Sequence, residues 1–309
     1  MISRSDYCIS SGIDLRKRSW RKIGLAAAAL VLAWFCAGSE AAFANTLIGA
    51  GDYHTCRLRD DGTVACWGSN SKGVLEGVPK GSFKSLVSGA NHVCVLRENG
   101  AVVCWGGNSD GQTKVPKGSF KAIAAGGYHS CGILSDGKVA CWGLNEHGQA
   151  SAPEGVFKAI AGGGYHSCGI GSDDAVVCWG RDDVGQVSKT PKGSFKALTG
   201  GMKFTCGIRS SDDKVVCWGE EDNITLNNTP KIAFKAIDAG SYHMCGIRTD
   251  DIAVCWGGGT SASDVPKSEA KNAFKAIGSG WKHSCGIRSD SKTICWGDNK
   301  YGQAPEKPF

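Results

Sequence analysis

Seven pairs of cysteines recur along most of this chain, and cysteine is the residue type with the most evident chemistry here. In each pair the second cysteine begins a Cys-Trp-Gly triplet and follows the first after ten residues, or after eleven in the fifth pair. Ligands in zinc sites are usually separated by only about two to five residues, so this spacing favours disulfides over metal. The predicted pairs are Cys56–Cys66, Cys94–Cys104, Cys131–Cys141, Cys168–Cys178, Cys206–Cys217, Cys245–Cys255 and Cys285–Cys295.

The segment between two paired cysteines has the pattern of a β-hairpin. In the third copy a three-residue turn at 135–137 ends in Gly137, which can adopt the left-handed conformation of a type I turn plus bulge. Counting outward from this turn places Cys131 opposite Cys141, at a position where α-carbons are about 4.5 Å apart and a disulfide can form. Other copies have a non-glycine residue at the position of Gly137, so we expect different turns there: Asp174, Asp251 and Ser291.

A histidine also recurs, two residues before the first cysteine of six copies. Imidazole is a common metal ligand and general base, but a residue present in nearly every repeat is more simply part of the scaffold. Phe204 replaces the histidine in the fifth copy, which supports the structural interpretation. We interpret the tryptophan of each Cys-Trp-Gly triplet in the same way, as packing between neighbouring repeats. The histidines are His54, His92, His129, His166, His243 and His283.

Other catalytic patterns do not stand apart from the repeat. The sequence has no distinct carboxylate pair, Ser-His-Asp set or glycine-rich phosphate loop. Most Asp and Glu residues lie in predicted turns, where they act as turn formers. We therefore predict that the protein is not an enzyme and has no catalytic residues, no metal site and no cofactor.

The cysteine pairs mark a repeat of 37 to 40 residues. Apolar runs of four to six residues end at glycine or Asp-Gly, which predicts short strands rather than helices. In the third copy we predict strand A at 120–124, strand B at 130–134, strand C at 138–142 and strand D after Gln149. Seven such sheets close best as a ring, because none of them can bury its faces alone. The predicted fold is all-β, a seven-bladed β-propeller with one disulfide per blade.

The first 44 residues have the layout of a secretory signal peptide. A basic patch at 16–22 precedes an apolar run at 23–37, and an Ala-x-Ala motif ends at Ala44. The run is shorter than the roughly 20 residues that span a bilayer. Cleavage would leave a propeller at 45–309 with 14 of the 16 cysteines, an even count typical of an oxidising compartment. We therefore expect a secreted or periplasmic protein without a membrane span after cleavage.

The charge balance is modest. The whole chain carries 35 Lys and Arg against 29 Asp and Glu, a net charge of +6, and the leader's six basic and three acidic residues account for half of it. The remaining +3, spread over seven repeats, does not indicate a nucleic-acid partner.

Three stretches of the third copy resemble a known family. Ala-Gly-Gly-Tyr-His-Ser, Asp-Gly-Lys-Val and Trp-Gly-x-Asn-x-x-Gly-Gln are similar to the repeat of the regulator of chromosome condensation superfamily, across essentially all of 45–309. Repeat length and blade number are most similar to secreted bacterial members such as the propeller-type β-lactamase inhibitor. The inhibitor has aliphatic residues where this chain has its cysteines. The resemblance implies a propeller, whereas the leader and disulfides argue against the nuclear role of nucleotide exchange on a small GTPase.

The predicted topology places the A–B and C–D loops on one face of the ring and the B–C hairpins and D–A links on the other. The A–B tips vary between copies, as expected of a recognition surface on a constant scaffold. The resemblance to the inhibitor points to the same face, and Tyr, Trp and Met are common in protein interfaces. The candidate binding residues are Tyr53, Asn91, Tyr128, Tyr165, Met202, Lys203, Tyr242, Trp281 and Lys282.

Two classes of function follow. The first is a monomeric protein-binding module, with inhibition of an exported enzyme as one form of it. The second is a carbohydrate-binding module that uses the aromatic tips, repeat by repeat, as platforms for cell-wall or other glycans. Lectin sites should recur almost unchanged in every blade, whereas these tips differ, so we favour one asymmetric protein partner. An alternative structural role for the tyrosines is to cap the central channel.

Overall fold

The computed structural model describes residues 47–220, 224–258 and 261–306, and all of them belong to one compact unit, Glu40–Phe309. The predicted leader at 1–44 lies outside these ranges. Strands form seven antiparallel sheets of three strands, each a blade, which confirms the predicted all-β, seven-bladed fold. The strands are β1 (Ile48–Ala50), β2 (His54–Leu58), β3 (Val64–Gly68), β4 (Ser85–Ser88), β5 (His92–Leu96), β6 (Val102–Gly106), β7 (Phe120–Ala125), β8 (His129–Leu134), β9 (Val139–Gly143), β10 (Phe157–Gly162), β11 (His166–Gly171), β12 (Val176–Gly180), β13 (Phe195–Gly200), β14 (Phe204–Arg209), β15 (Val215–Gly219), β16 (Phe234–Ala239), β17 (His243–Arg248), β18 (Ala253–Gly257), β19 (Phe274–Ser279), β20 (His283–Arg288) and β21 (Thr293–Gly297).

The hairpin register is the predicted one. Cys131 lies opposite Cys141, and the disulfide joins α-carbons 4.0 Å apart. The corresponding cysteines are bonded in each of the other six blades. Gly137 has φ of 89°, as the proposed turn requires.

The expectation of different turns in the copies without glycine was wrong. Asp174, Asp251 and Ser291 have φ of 69°, 72° and 66°, and Asp213 of the fifth copy has φ of 59°. These residues therefore adopt the same left-handed conformation as Gly137. Aspartate tolerates this region better than most residues, because its short polar side chain can bond locally.

The prediction of a fourth strand D after Gln149 was also wrong within the described residues. The segment after each strand C is irregular, apart from a short helix α1 (Ile224–Asn227) in the fifth repeat and a 3-10 turn (Ser261–Ser263) in the sixth. In six of the seven repeats a backbone carbonyl of this segment accepts a hydrogen bond from the indole of the next blade; Trp256 makes no such bond among the described residues. Pro153 then removes a backbone donor, which also works against strand pairing.

Tryptophan side chains hold neighbouring blades together, as the sequence predicted. The Nε1–H of Trp142 donates to the backbone carbonyl of Gln112 in the preceding repeat, at 2.9 Å. Five other indoles make the same bond to the segment that precedes their blade, from Trp67, Trp105, Trp179, Trp218 and Trp296. The first phenylalanine of strand A adds a second link, since the Phe157 N–H donates to the Gly137 carbonyl of the preceding hairpin.

The first and seventh blades close the ring. Trp67 of the first blade donates to the carbonyl of Gln303, and the backbone N–H of Trp281 donates to the carbonyl of Gly51. The chain starts with a segment of the strand-A type, and Phe309 aligns with the first residue of a further strand A, so the sequence predicts that Asn45 and Phe309 meet beside the seventh blade; both lie outside the described residues. The strands that are described are sufficient to show seven blades in a closed ring.

The buried core is divided among the blades. Most inward-facing residues of the middle strands are buried, and each cluster joins residues of adjacent blades; Ile208 and Phe234, for example, belong to one cluster. Within the described ranges, no helix is long and apolar enough to cross a membrane.

Candidate functional site

The A–B loop tips form a closed ring of backbone hydrogen bonds around the channel mouth. Asp52 N–H donates to the Ala90 carbonyl, Ala90 N–H to Gly127, and the pattern continues from blade to blade until Trp281 N–H donates to Gly51. The seven bonds are 2.9 to 3.2 Å long. Because the backbone of each tip is fixed by its neighbours, the side chains that vary between tips are presented from a rigid rim.

One aromatic group lies where the first and seventh blades meet. Tyr53 packs edge-on against Trp281, with ring centroids 5.2 Å apart, and against Tyr301, at 4.9 Å. The ammonium of Lys282 lies 4.5 Å from the centre of the Trp281 ring. Tyr301 is 45 % exposed. We call these four residues the closure cluster.

A second aromatic group lies between the third and fourth blades. The rings of Tyr128 and Tyr165 are 5.7 Å apart, and His147 packs edge-on against Tyr165. The Arg181 guanidinium lies 5.6 Å from the Tyr165 ring centre. We call these four residues the opposite cluster, because only the second blade separates it from the closure cluster in one direction round the ring, and the fifth and sixth blades in the other.

The remaining candidates do not join either cluster. Tyr242 is 44 % exposed and Asn91 is partly exposed. Met202 packs against the neighbouring tip, since a Cβ added to Gly164 would come within 2.6 Å of its sulfur. Lys203 forms an ion pair with Glu220 of its own C–D loop, at 3.0 Å. The candidate residues therefore share one face but are not one continuous patch.

Sequence reasoning missed the contribution of the C–D loops. Tyr301, His147 and Arg181 complete the two clusters, yet every candidate predicted from the sequence lies in an A–B tip. The Trp-Gly-x-Asn-x-x-Gly-Gln motif shapes these loops: the Asn145 side chain accepts from the Ala150 N–H, and Gln149 accepts from the His147 N–H. This motif could have indicated the contribution of the C–D loops, because its hydrogen bonds fix which loop residues lie beside the tyrosine of the A–B tip.

The innermost strands enclose a channel with a volume of about 180 Å³ that opens at this mouth. Its lining is apolar or small except for a few groups, of which Asp52 and Asp238 are acidic. Burial raises the pKa of Asp52 to about 6 and that of Asp238 to about 7. Asp238 also accepts a hydrogen bond from the Ser279 N–H, at 2.6 Å, so it links two neighbouring inner strands.

The repeated histidines are structural, as predicted. Each lies buried at the start of strand B, and five of them bond through Nε2 to a hydroxyl of the next blade, such as His129 to Ser167 at 2.7 Å. Because the Ser167 hydroxyl donates to the Gln149 carbonyl, the imidazole Nε2–H is the donor to Ser167. Burial lowers the pKa of His129 to about 3, so the ring is neutral.

Metal binding has no support in the part of the chain that the structure describes. There, no group of three or more His, Cys, Asp or Glu side chains is arranged to hold a metal ion. The fourteen cysteines of the repeats are consumed in disulfides. Seven disulfides are typical of proteins in an oxidising environment.

Seven disulfide-bonded blades, with variable loops on one face and buried structural histidines, define a repeat propeller. The chain belongs to the regulator of chromosome condensation (RCC1) repeat family, whose model matches residues 46–74, 83–112, 120–149, 157–186, 234–261 and 274–303, more than half of the chain. The fifth blade is not matched; it contains the extra hairpin residue and Phe204 in place of histidine. No curated protein sequence matches the chain.

Solved structures share this fold. The CRINKLY ectodomain of the Arabidopsis thaliana receptor kinase ACR4 is 27% identical, with a TM-score of 0.69, and the match covers 81% of this chain and 96% of that one. The ectodomain of the Physcomitrella patens receptor kinase CR4 is also 27% identical, with a TM-score of 0.71 and coverage of 81% and 73%. Prp20p from Saccharomyces cerevisiae is 19% identical, with a TM-score of 0.65 and coverage of 77% and 81%, a likeness of fold alone.

Proposed function

We propose that this protein is a secreted, non-enzymatic binding module that holds one asymmetric protein partner on the face formed by its A–B and C–D loops. The observation that carries the proposal is the pair of aromatic clusters on a hydrogen-bonded rim. Each cluster offers partly exposed aromatic rings beside a cation, and rigid aromatic side chains are the commonest anchors of protein interfaces. The two clusters differ in composition, which suits a partner without sevenfold symmetry.

Comparisons with other propellers support protein binding. The Prp20p structure is described together with its binding to Gsp1p and histones, and two of the similar structures are receptor ectodomains. Export is supported by the leader pattern at 1–44 and by seven disulfides. Inhibition of an exported enzyme is the form of binding we would test first, since a partner's active site could be covered by such a rim.

The test uses the mature chain, 45–309, immobilised to capture exported proteins of the source organism. Captured partners are then measured for affinity against Tyr53→Ala with Trp281→Ala, and against Tyr128→Ala with Tyr165→Ala. Truncation of interface anchors typically costs about 2 kcal/mol or more, roughly thirtyfold in affinity. If the partner is an enzyme, its activity is measured in the same titration.

Lys138→Ala is the control, since this exposed residue lies in a B–C hairpin on the opposite face. The proposal fails if the tip variants bind as well as the wild type, or if the Lys138 variant alone loses binding. Recovery of glycans that bind in several equal copies per molecule would instead establish the carbohydrate-binding alternative. Thermal unfolding of every variant separates loss of a contact from loss of the fold.

A further inference from the structure

Lysines are repeated on the face opposite the aromatic clusters. Six links join consecutive blades from the first to the seventh, and five of them contain a Pro-Lys pair before strand A. In the remaining link, between the third and fourth blades, Glu154 follows the proline. All five lysines are exposed, and among the described residues none has an ion-pair partner. They are Lys80, Lys117, Lys192, Lys231 and Lys267.

A second set of lysines on this face is already neutralised. Lys196 pairs with Asp213 at 2.5 Å, and Lys235 pairs with Asp251, each joining strand A to its own hairpin. Arg248 and Arg288 likewise pair with hairpin aspartates. The hairpin carboxylates are thus largely occupied by these partners and do not neutralise the five link lysines.

Two of the few large apolar side chains that are well exposed lie in links on the same face: Ile232 directly follows Lys231, and Val156 stands in the link that contains Glu154. Val156 is 54 % exposed and Ile232 is 39 % exposed, and both stand in links just before a strand A. The small net charge of the repeats does not indicate this arrangement. Only the alternation of loops between two faces brings the lysines and the apolar side chains together.

We propose that this face binds the surface of an anionic lipid bilayer. Lysines near a negatively charged membrane each add about fivefold to the affinity, and exposed aliphatic side chains can enter the headgroup layer. A dissolved polyanion would use the lysines but would gain nothing from Val156 and Ile232, so these two residues favour the membrane. Bound in this way, the propeller would present its aromatic clusters away from the bilayer. The inference is independent of the proposed protein partner.

The experiment is cosedimentation of the mature chain with vesicles of phosphatidylcholine alone and of equimolar phosphatidylcholine and phosphatidylglycerol. We expect binding only to the anionic vesicles, and we expect it to weaken as added salt shortens the Debye length. The variant K117Q/K192Q should bind about 25-fold more weakly. Its matched control is K72Q/K114Q, which removes two exposed lysines from C–D loops on the other face.

Further measurements distinguish a membrane from a dissolved polyanion as the ligand of this face. V156S/I232S should weaken vesicle binding and leave binding to heparin unchanged. No binding to anionic vesicles, or binding to heparin alone, would overturn the membrane assignment. Equal losses in K117Q/K192Q and K72Q/K114Q would also overturn it, because overall charge and not this face would then explain the binding.

Discussion

The Nε2 atom of His166 lies 2.7 Å from the Oγ1 atom of Thr205 in the next blade, and both side chains are buried. The same bond joins four other pairs of adjacent blades, and the rings of these histidines lie against a glycine of their own A–B loop. A Cβ on Gly163 would come within 2.1 Å of the His166 ring. These bonds therefore connect the rim formed by the A–B loops to the contacts between blades.

Stability should fall as the pH drops from about 6.5 towards 4. Burial lowers the pKa of His166 to about 4 and that of His283 to about 3, whereas an unfolded histidine has a pKa near 6.5. In this window the unfolded chain binds protons that the folded chain does not, which costs about 1.4 kcal/mol per pH unit for each histidine. Asp52 and Asp238 act in the opposite sense, but six histidines outweigh two carboxylates. Urea unfolding at pH 7, 5.5 and about 4.5 measures the slope.

The fifth blade supplies the control for this prediction. There Phe204 replaces the histidine, Met244 replaces the hydroxyl residue of the next blade, and both are fully buried in one cluster. The double substitution H166F/T205M should reduce the pH slope by the contribution of one histidine, and F204H/M244S should increase it by as much. Unchanged slopes in both variants would contradict a role for these pairs.

The substitution Val93→Thr should stabilise the propeller by about 1 kcal/mol. Val93 stands where five of the other six blades have the hydroxyl partner, and among the described residues the buried Nε2 of His54 has no hydrogen-bond partner. A threonine hydroxyl there could accept from His54 and donate to the Val74 carbonyl, as Ser130 does to the Gln112 carbonyl. Denaturant unfolding measures the change. Val93→Ala is the control, and a loss of stability in the threonine variant would show that the site cannot accommodate a hydroxyl.

Gly137→Asp should be tolerated much better than Gly137→Val. The left-handed conformation of this position costs a β-branched residue about 2 kcal/mol or more, whereas Asp174 and Asp251 adopt it in other blades. Lys121 lies near enough to pair with the new carboxylate, as Lys158 pairs with Asp174. Unfolding free energies of the two variants test this, and equal losses would show that crowding by Val156, not the backbone, controls the site.

Peptide mapping without reduction should recover Cys131 linked to Cys141 and the six equivalent pairs. Removal of one bond, in C131S/C141S, should cost about 3 kcal/mol, because the open hairpin has more conformational freedom when unfolded. Free thiols, bound zinc or links between blades would contradict this pairing. The seventh blade offers a second example in Cys285 and Cys295, whose loss should also weaken ring closure.

Local pattern by itself determined the blades of this protein. The hairpin turn at 135–137 sets the register that brings Cys131 to Cys141, and the glycine-bounded apolar runs set the strands to within one residue in the third repeat. These features depend on interactions between residues no more than about ten positions apart, so a short stretch of sequence is enough to predict them. The left-handed conformation of Asp174 was not foreseen, because glycine was taken as the signal for this turn, whereas aspartate also tolerates the conformation.

Only the tertiary structure decided what depends on contacts across the ring. The indole of Trp142 bonds to the Gln112 carbonyl of the preceding repeat, and the segment where a fourth strand was predicted is a link between blades instead. The two aromatic clusters and the five unpaired lysines likewise join residues from different repeats. Their positions follow from ring closure and from the alternation of loops between faces, which no pattern within a single repeat contains.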